Sequence, residues 1–162
     1  MTPKRSAGLL LFRRTGGDPT GFDVLLGHMG GPYYADRDAR AWSIPKGEYG
    51  PEETAWDAAR REFEEELGLA PPEGEYLELG EVTQANRKIV TVWAVEAELD
   101  PAAVRPGTFR MEWPPFSGRY EDFPEIDRAA WFPREEARGK LVAAQGAFLD
   151  RLAETLTHLA ED

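Results

Sequence analysis

The chain has no cysteine, and none of its apolar stretches is long enough to cross a membrane. Without cysteine, disulfides, thiolate metal sites and a cysteine nucleophile are all excluded. The apolar run at residues 7–12 stops at Arg13 and Arg14, so it is shorter than the core of a secretory signal. A membrane-spanning helix needs about 20 apolar residues. These absences favour a cytoplasmic protein without a membrane partner.

Positive charge is also scarce, since 19 lysines and arginines stand against 30 aspartates and glutamates and give a net charge of −11. Nonspecific binding to nucleic acid depends on clustered cations, so we expect no long nucleic-acid partner. A small phosphorylated ligand needs only a few well-placed cations and stays compatible with this charge. At 162 residues with 41% apolar residues, the chain is typical of one folded domain over residues 1–162.

Strand patterns occur in three parts of the chain. Residues 6–14 and 21–29 predict two buried strands that form an opening hairpin. Residues 76–84 and 88–99 alternate well enough to predict a second strand pair. Residues 127–133 predict a short last strand.

Two long segments, residues 30–53 and 105–126, show little periodicity and contain several glycines and prolines. They are predicted to be irregular. Long loops inside compact domains tend to be functional. The second segment has four aromatic residues that either line a binding wall or fix the loop to the core: Phe109, Trp113, Phe116 and Tyr120.

Helical spacing marks residues 53–67 and the C-terminal tail. In the first helix, Gly68 provides the stop, and four apolar residues fall on the side expected to face the core: Trp56, Ala59, Phe63 and Leu67. In the tail, an amphipathic helix is predicted from Phe148, Leu152, Leu156 and Leu159.

Three acids of the first helix, Glu62, Glu65 and Glu66, stand at positions i, i+3 and i+4, so their carboxylates share one face. Their repulsion, and their opposition to the helix dipole, both disfavour the helix. One explanation is a solvated face relieved by the ion pairs Arg60–Glu64 and Arg61–Glu65. The other is a hard divalent cation such as Mg²⁺, which takes oxygen ligands and removes the repulsion.

The window from residue 47 to residue 69, GEYGPEETAWDAARREFEEELGL, resembles the Nudix box. That motif is a glycine, five residues, Glu, seven residues, and then Arg-Glu-apolar-any-Glu-Glu-any-Gly-apolar. Every fixed position is matched without an insertion, by Gly47, Glu53, Arg61, Glu62, Phe63, Glu65, Glu66, Gly68 and Leu69.

The resemblance implies a Nudix hydrolase with an α/β (α+β) fold, in which a mixed sheet lies between helices as an α/β/α sandwich. It further implies a pyrophosphatase reaction that requires Mg²⁺ or Mn²⁺. By position, the metal-binding carboxylates would be those of Glu62, Glu65 and Glu66, and Arg61 would orient them. The backbone carbonyl of Lys46 would join the metal shell. Gly47, Glu53 and Gly68 would have supporting structural roles.

The general base is less defined by the resemblance, because it varies within the family. Glu62 is the first choice, and Glu65 or a glutamate of the late loop is the rival. Glu112 and Glu125 both lie in that loop. Either is a candidate to complete the metal site, and each also has the simpler interpretation of an exposed acid.

The lead-in WSIPKGE, residues 42–48, resembles that of dinucleoside polyphosphate hydrolases and related Nudix enzymes. It implies that Lys46 binds a phosphate chain, for which the further candidate cations are Arg87, Lys88, Arg110 and Arg119. Candidates to stack on a nucleobase are Tyr33, Tyr34 and Trp42. His28 either contacts substrate or is a hydrogen-bonded structural residue.

We therefore expect a small-molecule nucleotide substrate, with dinucleoside or similar polyphosphates first. Nucleoside triphosphates come second, and ADP-ribose or another nucleotide sugar third. A different class of function is a Nudix domain that binds a nucleotide or protein without turnover, and a weaker one is an acidic interaction scaffold. The sequence leaves the oligomeric state open.

Overall fold

The computed structural model describes residues 2–161, which form nine strands and three α-helices. The strands are β1 (Arg5–Arg14), β2 (Phe22–Met29), β3 (Trp42–Ser43), β4 (Lys46–Tyr49), β5 (Tyr76–Thr83), β6 (Ile89–Glu96), β7 (Thr108–Glu112), β8 (Tyr120–Pro124) and β9 (Ile126–Pro133). The helices are α1 (Ala55–Leu67), α2 (Arg134–Lys140) and α3 (Gly146–Glu161).

The central strand β1 organises the main sheet. Along one edge it pairs in parallel with β6, which in turn pairs antiparallel with β5. Along its other edge it pairs antiparallel with β2, but only over the three pairs from Phe12↔Val24 to Arg14↔Phe22. The predicted opening hairpin is therefore present at its closed end, and its two strands diverge further along.

The gap between the diverging strands is filled by residues 42–49. There β3 pairs with β2, and β4 pairs with β1 at Gly8↔Lys46. The far edge of β2 pairs with β9. The segment 30–53, predicted to be a loop throughout, thus contains two short strands. We call residues 42–49, which include the lead-in to the box, the wedge.

The sheet separates two layers of core, which confirms the predicted mixed sheet between helices. Alternate residues of β1 face opposite sides, since Leu9 and Leu11 pack with Phe63 of α1, whereas Leu10 and Phe12 pack with Phe148 of α3. This period of two is the ordinary consequence of strand geometry. Both helices turn apolar stripes to the sheet, as their spacing predicts, except that Leu159, near the end of α3, is exposed.

Helix α1 ends at Gly68 as predicted and begins at Ala55, two residues after the predicted start. The Thr54 hydroxyl accepts a hydrogen bond from the backbone N–H of Asp57, and Gly68 has the left-handed conformation, with φ of 70°. A polar N-cap and a left-handed glycine satisfy backbone groups that a helix leaves unpaired at its ends. The acidic face of α1 is thereby held at a fixed rotation against the sheet.

Besides β3 and β4, three more elements were not predicted. Residues 105–126, expected to be irregular, contain the two-stranded hairpin of β7 and β8, and the short helix α2 follows β9. Within residues 2–161, no helix is long and apolar enough to span a membrane.

The wedge depends on Gly8, because a Cβ at this position would lie 2.3 Å from the carbonyl oxygen of Pro45. We expect Gly8→Ala to lower the free energy of unfolding by about 1–3 kcal/mol, the usual cost of overpacking. The matched control is Gly17→Ala in the β1–β2 loop, where an added Cβ meets nothing within 4 Å. Denaturant unfolding of the two variants measures both effects, and equal stabilities would contradict this role of Gly8.

Candidate active site

Arg61 of α1 joins three carboxylates of the box and approaches one backbone carbonyl. Its guanidinium makes a two-pronged ion pair with Glu53, with both N–O distances 2.8 Å. One Nη also donates to Glu62 at 2.8 Å and to Glu65 at 3.1 Å, and the other approaches the carbonyl of Glu48 at 3.5 Å. The hydrogen bond from Arg61 lowers the pKa of Glu53. The ion pairs predicted for Arg61 are present, and Glu53 serves as its anchor.

Three carboxylates meet beside this arginine. Oxygen atoms of Glu62, Glu66 and Glu125 lie within 4.8 Å of one another, and Glu62 and Glu66 are only 9% and 7% exposed. The backbone N–H of Lys46 donates to Glu66 Oε2 at 2.9 Å. We call these three residues the carboxylate cluster. It joins two positions of the box to one from the late segment, between β8 and β9.

The backbone around Glu125 is fixed on both sides. Its N–H donates to the carbonyl of Gly107 at 2.8 Å, and its carbonyl accepts from Gly30 at 3.1 Å. Gly107 in turn donates to the carbonyl of Glu65 at 3.0 Å, in the last turn of α1. The base of the β7–β8 hairpin is thereby bonded to the end of the acidic helix, which brings Glu125 to Glu66.

Gly47 allows the box loop to cross this helix closely. A Cβ at Gly47 would lie 1.9 Å from Glu62 Oε2, so any side chain here would displace the Glu62 carboxylate. The invariant glycine of the motif thus has a direct steric reason in this chain. Gly68 has a different one, the left-handed turn that ends α1.

Burial dominates the electrostatics of the cluster. It raises the pKa of Glu66 to about 8, with a further contribution from the negative charges of Glu125 and Glu62 and an opposing one from Lys46. Burial also raises the pKa of Glu62, against its ion pair with Arg61, and that of Glu125. Ionised carboxylates at such a place need a compensating charge. A group of hard oxygen donors that lacks this compensating positive charge suits a divalent cation such as Mg²⁺ or Mn²⁺.

Two other predicted metal ligands, Glu65 and the Lys46 carbonyl, are not part of the carboxylate cluster. The side chain of Glu65 is 55% exposed and pairs with Arg61, outside the group of oxygens that approach within 4.8 Å. Its role as a ligand stays a prediction, as does that of the Lys46 carbonyl. Glu64 is exposed, as expected, and Arg60, expected to pair with it, lies over the Trp56 ring at 5.7 Å.

Glu112 was wrongly considered for the metal site. Its two carboxylate oxygens accept the backbone N–H groups of Phe116 and Gly118, each at 3.1 Å. Glu112 therefore holds the turn at the tip of the β7–β8 hairpin, where Phe116 is 98% exposed. Of the two late glutamates, the structure brings only Glu125 to the carboxylate cluster.

Trp42 was predicted to stack on a nucleobase. This prediction is wrong, because the residue is only 3% exposed. Its indole N–H donates to Asp38 at 3.0 Å, and its ring packs edge-on against Phe132 at 4.8 Å and His28 at 5.0 Å. His28 is fully buried, with one ring nitrogen at 2.9 Å from Asp127 and the other at 2.6 Å from the carbonyl of Arg37. Both side chains have structural roles.

A cavity of about 480 Å³ lies next to the cluster, and we call it the cationic cavity. Its lining residues are Met29, Tyr34, Arg37, Arg40, Ser43, Lys46, Gln84, Asn86, Lys88, Val142, Ala143 and Gln145. Four of them are cations and none is an acid. A second cavity of about 280 Å³ shares Met29, Ser43 and Lys46 with the first and also reaches Glu66, Phe109 and Glu125. Lys46 therefore lies between the carboxylate cluster and the cationic cavity.

The cationic cavity contains some predicted substrate contacts and lacks others. Tyr34, Lys46 and Lys88 line it, whereas Arg87 and Arg119 are exposed elsewhere, in a turn and near the hairpin tip. Among the four lining cations, sequence reasoning missed two, Arg37 and Arg40. The available signal was their occurrence in the segment DRDAR, within a long segment already expected to be functional.

Comparison with known proteins identifies the family of this chain. Residues 2–152 match the profile of the NUDIX domain. The chain therefore belongs to the Nudix family of hydrolases, which act on phosphoric anhydrides. No curated protein sequence gives a significant match.

Solved structures show the same fold at low identity. The Ap4A hydrolase of C. elegans, in a binary complex, has a TM-score of 0.63 with 22% identity over 96% of this chain and 98% of that one. A mutT/nudix family protein from Listeria innocua has a TM-score of 0.59 with 18% identity over 99% of each chain. The NUDIX domain of Shewanella oneidensis NrtR, complexed with ADP ribose, has a TM-score of 0.60 with 12% identity over 96% of this chain and 90% of that one.

The raised pKa of Glu66 makes stability depend on pH in metal-free protein. Between the ordinary value of 4.5 and about 8, the folded chain holds a proton that the unfolded chain has lost. In this window the Glu66 contribution to the free energy of unfolding falls, as pH rises, by at most about 1.4 kcal/mol per pH unit. Glu66→Gln should remove this loss, so the variant should gain stability relative to wild type as pH rises.

Denaturant unfolding in EDTA across that pH window measures the difference between the two proteins. The matched control is Glu64→Gln, which changes an exposed acid of the same helix and should follow wild type. A difference between Glu66→Gln and wild type that stays constant with pH would contradict the assignment.

Proposed function

We propose that this protein catalyses Mg²⁺-dependent hydrolysis of a pyrophosphate linkage in a nucleoside diphosphate linked to a further group. Dinucleoside polyphosphates or similar polyphosphate compounds are the preferred substrate class. The observation that carries this proposal is the carboxylate cluster beside the cationic cavity. The carboxylates suit a cation and the cavity suits a phosphate chain, and Lys46 lies between the two.

Glu62, Glu66 and Glu125 would hold the cation, with Glu65 and the Lys46 carbonyl as further predicted ligands. When bound, a divalent cation offsets the charge that develops on phosphate oxygens and makes a neighbouring water more acidic. Mg²⁺ and Mn²⁺ both accept such oxygen ligands. Arg61 keeps Glu62 and Glu65 in place through its anchor on Glu53.

The reaction needs a water oxygen to form a bond to one phosphorus while the bond from that phosphorus to the bridging oxygen breaks. The bridging oxygen leaves with the second phosphate, and the water gives up a proton. Glu62 is our first choice for the base that takes this proton, because it lies in the cluster and is held by Arg61. Glu65 is the rival, since it is accessible on the same face of α1.

Charge supports a polyphosphate over a nucleotide sugar. Four cations line the cavity next to the cluster, whereas a sugar beyond the cleaved linkage offers no negative charge to them. Tyr34 also lines the cavity and gives a base or ribose an aromatic surface. The solved relatives include an Ap4A hydrolase and an ADP ribose complex, so both substrate classes belong in the test.

The decisive assay is hydrolysis in H₂¹⁸O with Mg²⁺, over a panel of dinucleoside polyphosphates, nucleoside triphosphates and nucleotide sugars. We expect turnover of the dinucleoside polyphosphates, with ¹⁸O in one phosphate product. Mass spectrometry of the products identifies the phosphorus attacked. Absence of turnover for every compound would favour a binding domain without catalysis.

Matched variants relate the activity to the carboxylate cluster. Glu66→Gln should lower kcat by at least about a hundredfold, since it removes a carboxylate that would hold the cation. Glu64→Gln changes an exposed acid two residues away and should retain activity. Similar losses in both variants would show that the effect does not come from the cluster.

A further inference from the structure

The cationic cavity concentrates positive charge on a protein whose net charge is −11. Arg37, Arg40, Lys46 and Lys88 line it without any carboxylate among the lining residues. Lys88 pairs with Glu48 at 3.2 Å. Among residues 2–161, no carboxylate lies within 4.0 Å of a charged nitrogen of the other three. Lys46 also feels the charge of nearby glutamates, so Arg37 and Arg40 are the lining cations that most favour an external anion.

The loop that carries Arg37 is held in position by buried groups. The carbonyl of Arg37 lies 2.6 Å from Nε2 of His28, a fully buried histidine. The next residue, Asp38, accepts from the indole N–H of Trp42 at 3.0 Å and also pairs with Lys140. The backbone at Arg37 is thus fixed by the core, although its side chain is exposed. Fixing a binding loop before the ligand arrives lowers the entropy lost on binding.

Arg40 is fixed by a different element. Its backbone N–H donates to the carbonyl of Gly139 at 3.2 Å, and its Nη1 donates to the carbonyl of Arg138 at 2.9 Å. Both carbonyls belong to α2, so the loop is bonded to that helix at this point. Arg37 and Arg40, which belong to one short segment, are thereby held in position at the cavity that Lys46 also lines.

The floor of the cavity is a set of neutral polar groups. Gln145 is fully buried, and its side chain accepts from the N–H of Ile44 at 2.9 Å and donates to Gln84 at 3.0 Å and Ser43 at 3.1 Å. These bonds fix the wedge to Gln145, which directly precedes α3. The floor itself adds no negative charge that would oppose a bound anion.

We propose that the cationic cavity binds the part of the phosphate chain beyond the cleaved linkage and makes the enzyme selective for long chains. Arg37 is the specificity-determining residue, because its guanidinium is free of ion pairs and matches phosphate oxygens. Lys46 connects this subsite to the carboxylate cluster. This inference rests on the proposed function, since it takes the linkage cleaved at the cluster as its starting point.

Binding without catalysis is the first test. Metal-free protein in EDTA is titrated with inorganic tripolyphosphate and followed by calorimetry. Arg37→Gln should weaken binding about tenfold, as expected for loss of a charge-assisted hydrogen bond. The matched control is Arg14→Gln, which removes the same charge at the far end of β1 and should bind like wild type. No binding to wild type, or equal binding by both variants, overturns the proposal.

Substrate length is the second test. We expect kcat/KM of wild type to rise from diadenosine triphosphate to the tetraphosphate and pentaphosphate, with ADP-ribose lower. Arg37→Gln should lose about tenfold on the two longer compounds and little on diadenosine triphosphate. A wild type without length preference, or a loss in Arg37→Gln that is equal for all compounds, overturns the proposal.

The two proposals fail in different ways. If wild type binds tripolyphosphate through Arg37 but hydrolyses no compound, the proposed hydrolysis fails and the anion subsite stands. If wild type hydrolyses the panel but Arg37→Gln keeps the same length preference, the hydrolysis stands and the subsite is rejected.

Discussion

The repulsion among the carboxylates of Glu62, Glu66 and the half-buried Glu125 is the constraint on which the rest of this site depends. Three acids within 4.8 Å of one another are unfavourable away from water unless positive charge or protons compensate them. Arg61 compensates Glu62 from one side, and the backbone N–H of Lys46 serves Glu66 from another. Among residues 2–161, neither Arg61 nor the backbone N–H of Lys46 donates such a hydrogen bond to Glu125. A bound divalent cation meets this requirement, and its charge would act on all three acids at once.

The sheet is built so that these acids stay together. Divergence of β1 and β2 opens a gap, the wedge of β3 and β4 fills it, and the wedge places Lys46 and Gly47 against α1. Two glycines make the contact possible, since a Cβ at Gly8 would meet Pro45 and one at Gly47 would meet Glu62. The fold thus supplies a close approach of backbone to carboxylate that a side chain would prevent.

Sequence reasoning reached α1, its terminal glycine and the acids of the box because these are local patterns. Helical spacing and a terminal glycine act over a few residues, and the box motif has defined positions. Glu125 was reached only as one of two candidates. What separates it from Glu112 is the hairpin of β7 and β8, which turns one glutamate toward α1 and uses the other to hold its own tip.

The wedge and the cationic cavity were harder to foresee for the same reason. Trp42 and Lys46 are four residues apart in a segment without periodicity, and only pairing with β2 and β1 buries one and leaves the other at the site. Arg37 and Arg40 become functional candidates through bonds to His28 and α2, which are distant along the chain. Tertiary contacts of this kind leave no local pattern in the sequence.

The most direct measurement is the anomalous scattering of manganese in crystals of the protein soaked with Mn²⁺. The account predicts an anomalous peak between the carboxylates of Glu62, Glu66 and Glu125, and loss of that peak in Glu66→Gln. A protein that hydrolyses its substrate with Mn²⁺ but shows no peak at this position, or shows it beside Glu112, would contradict the account.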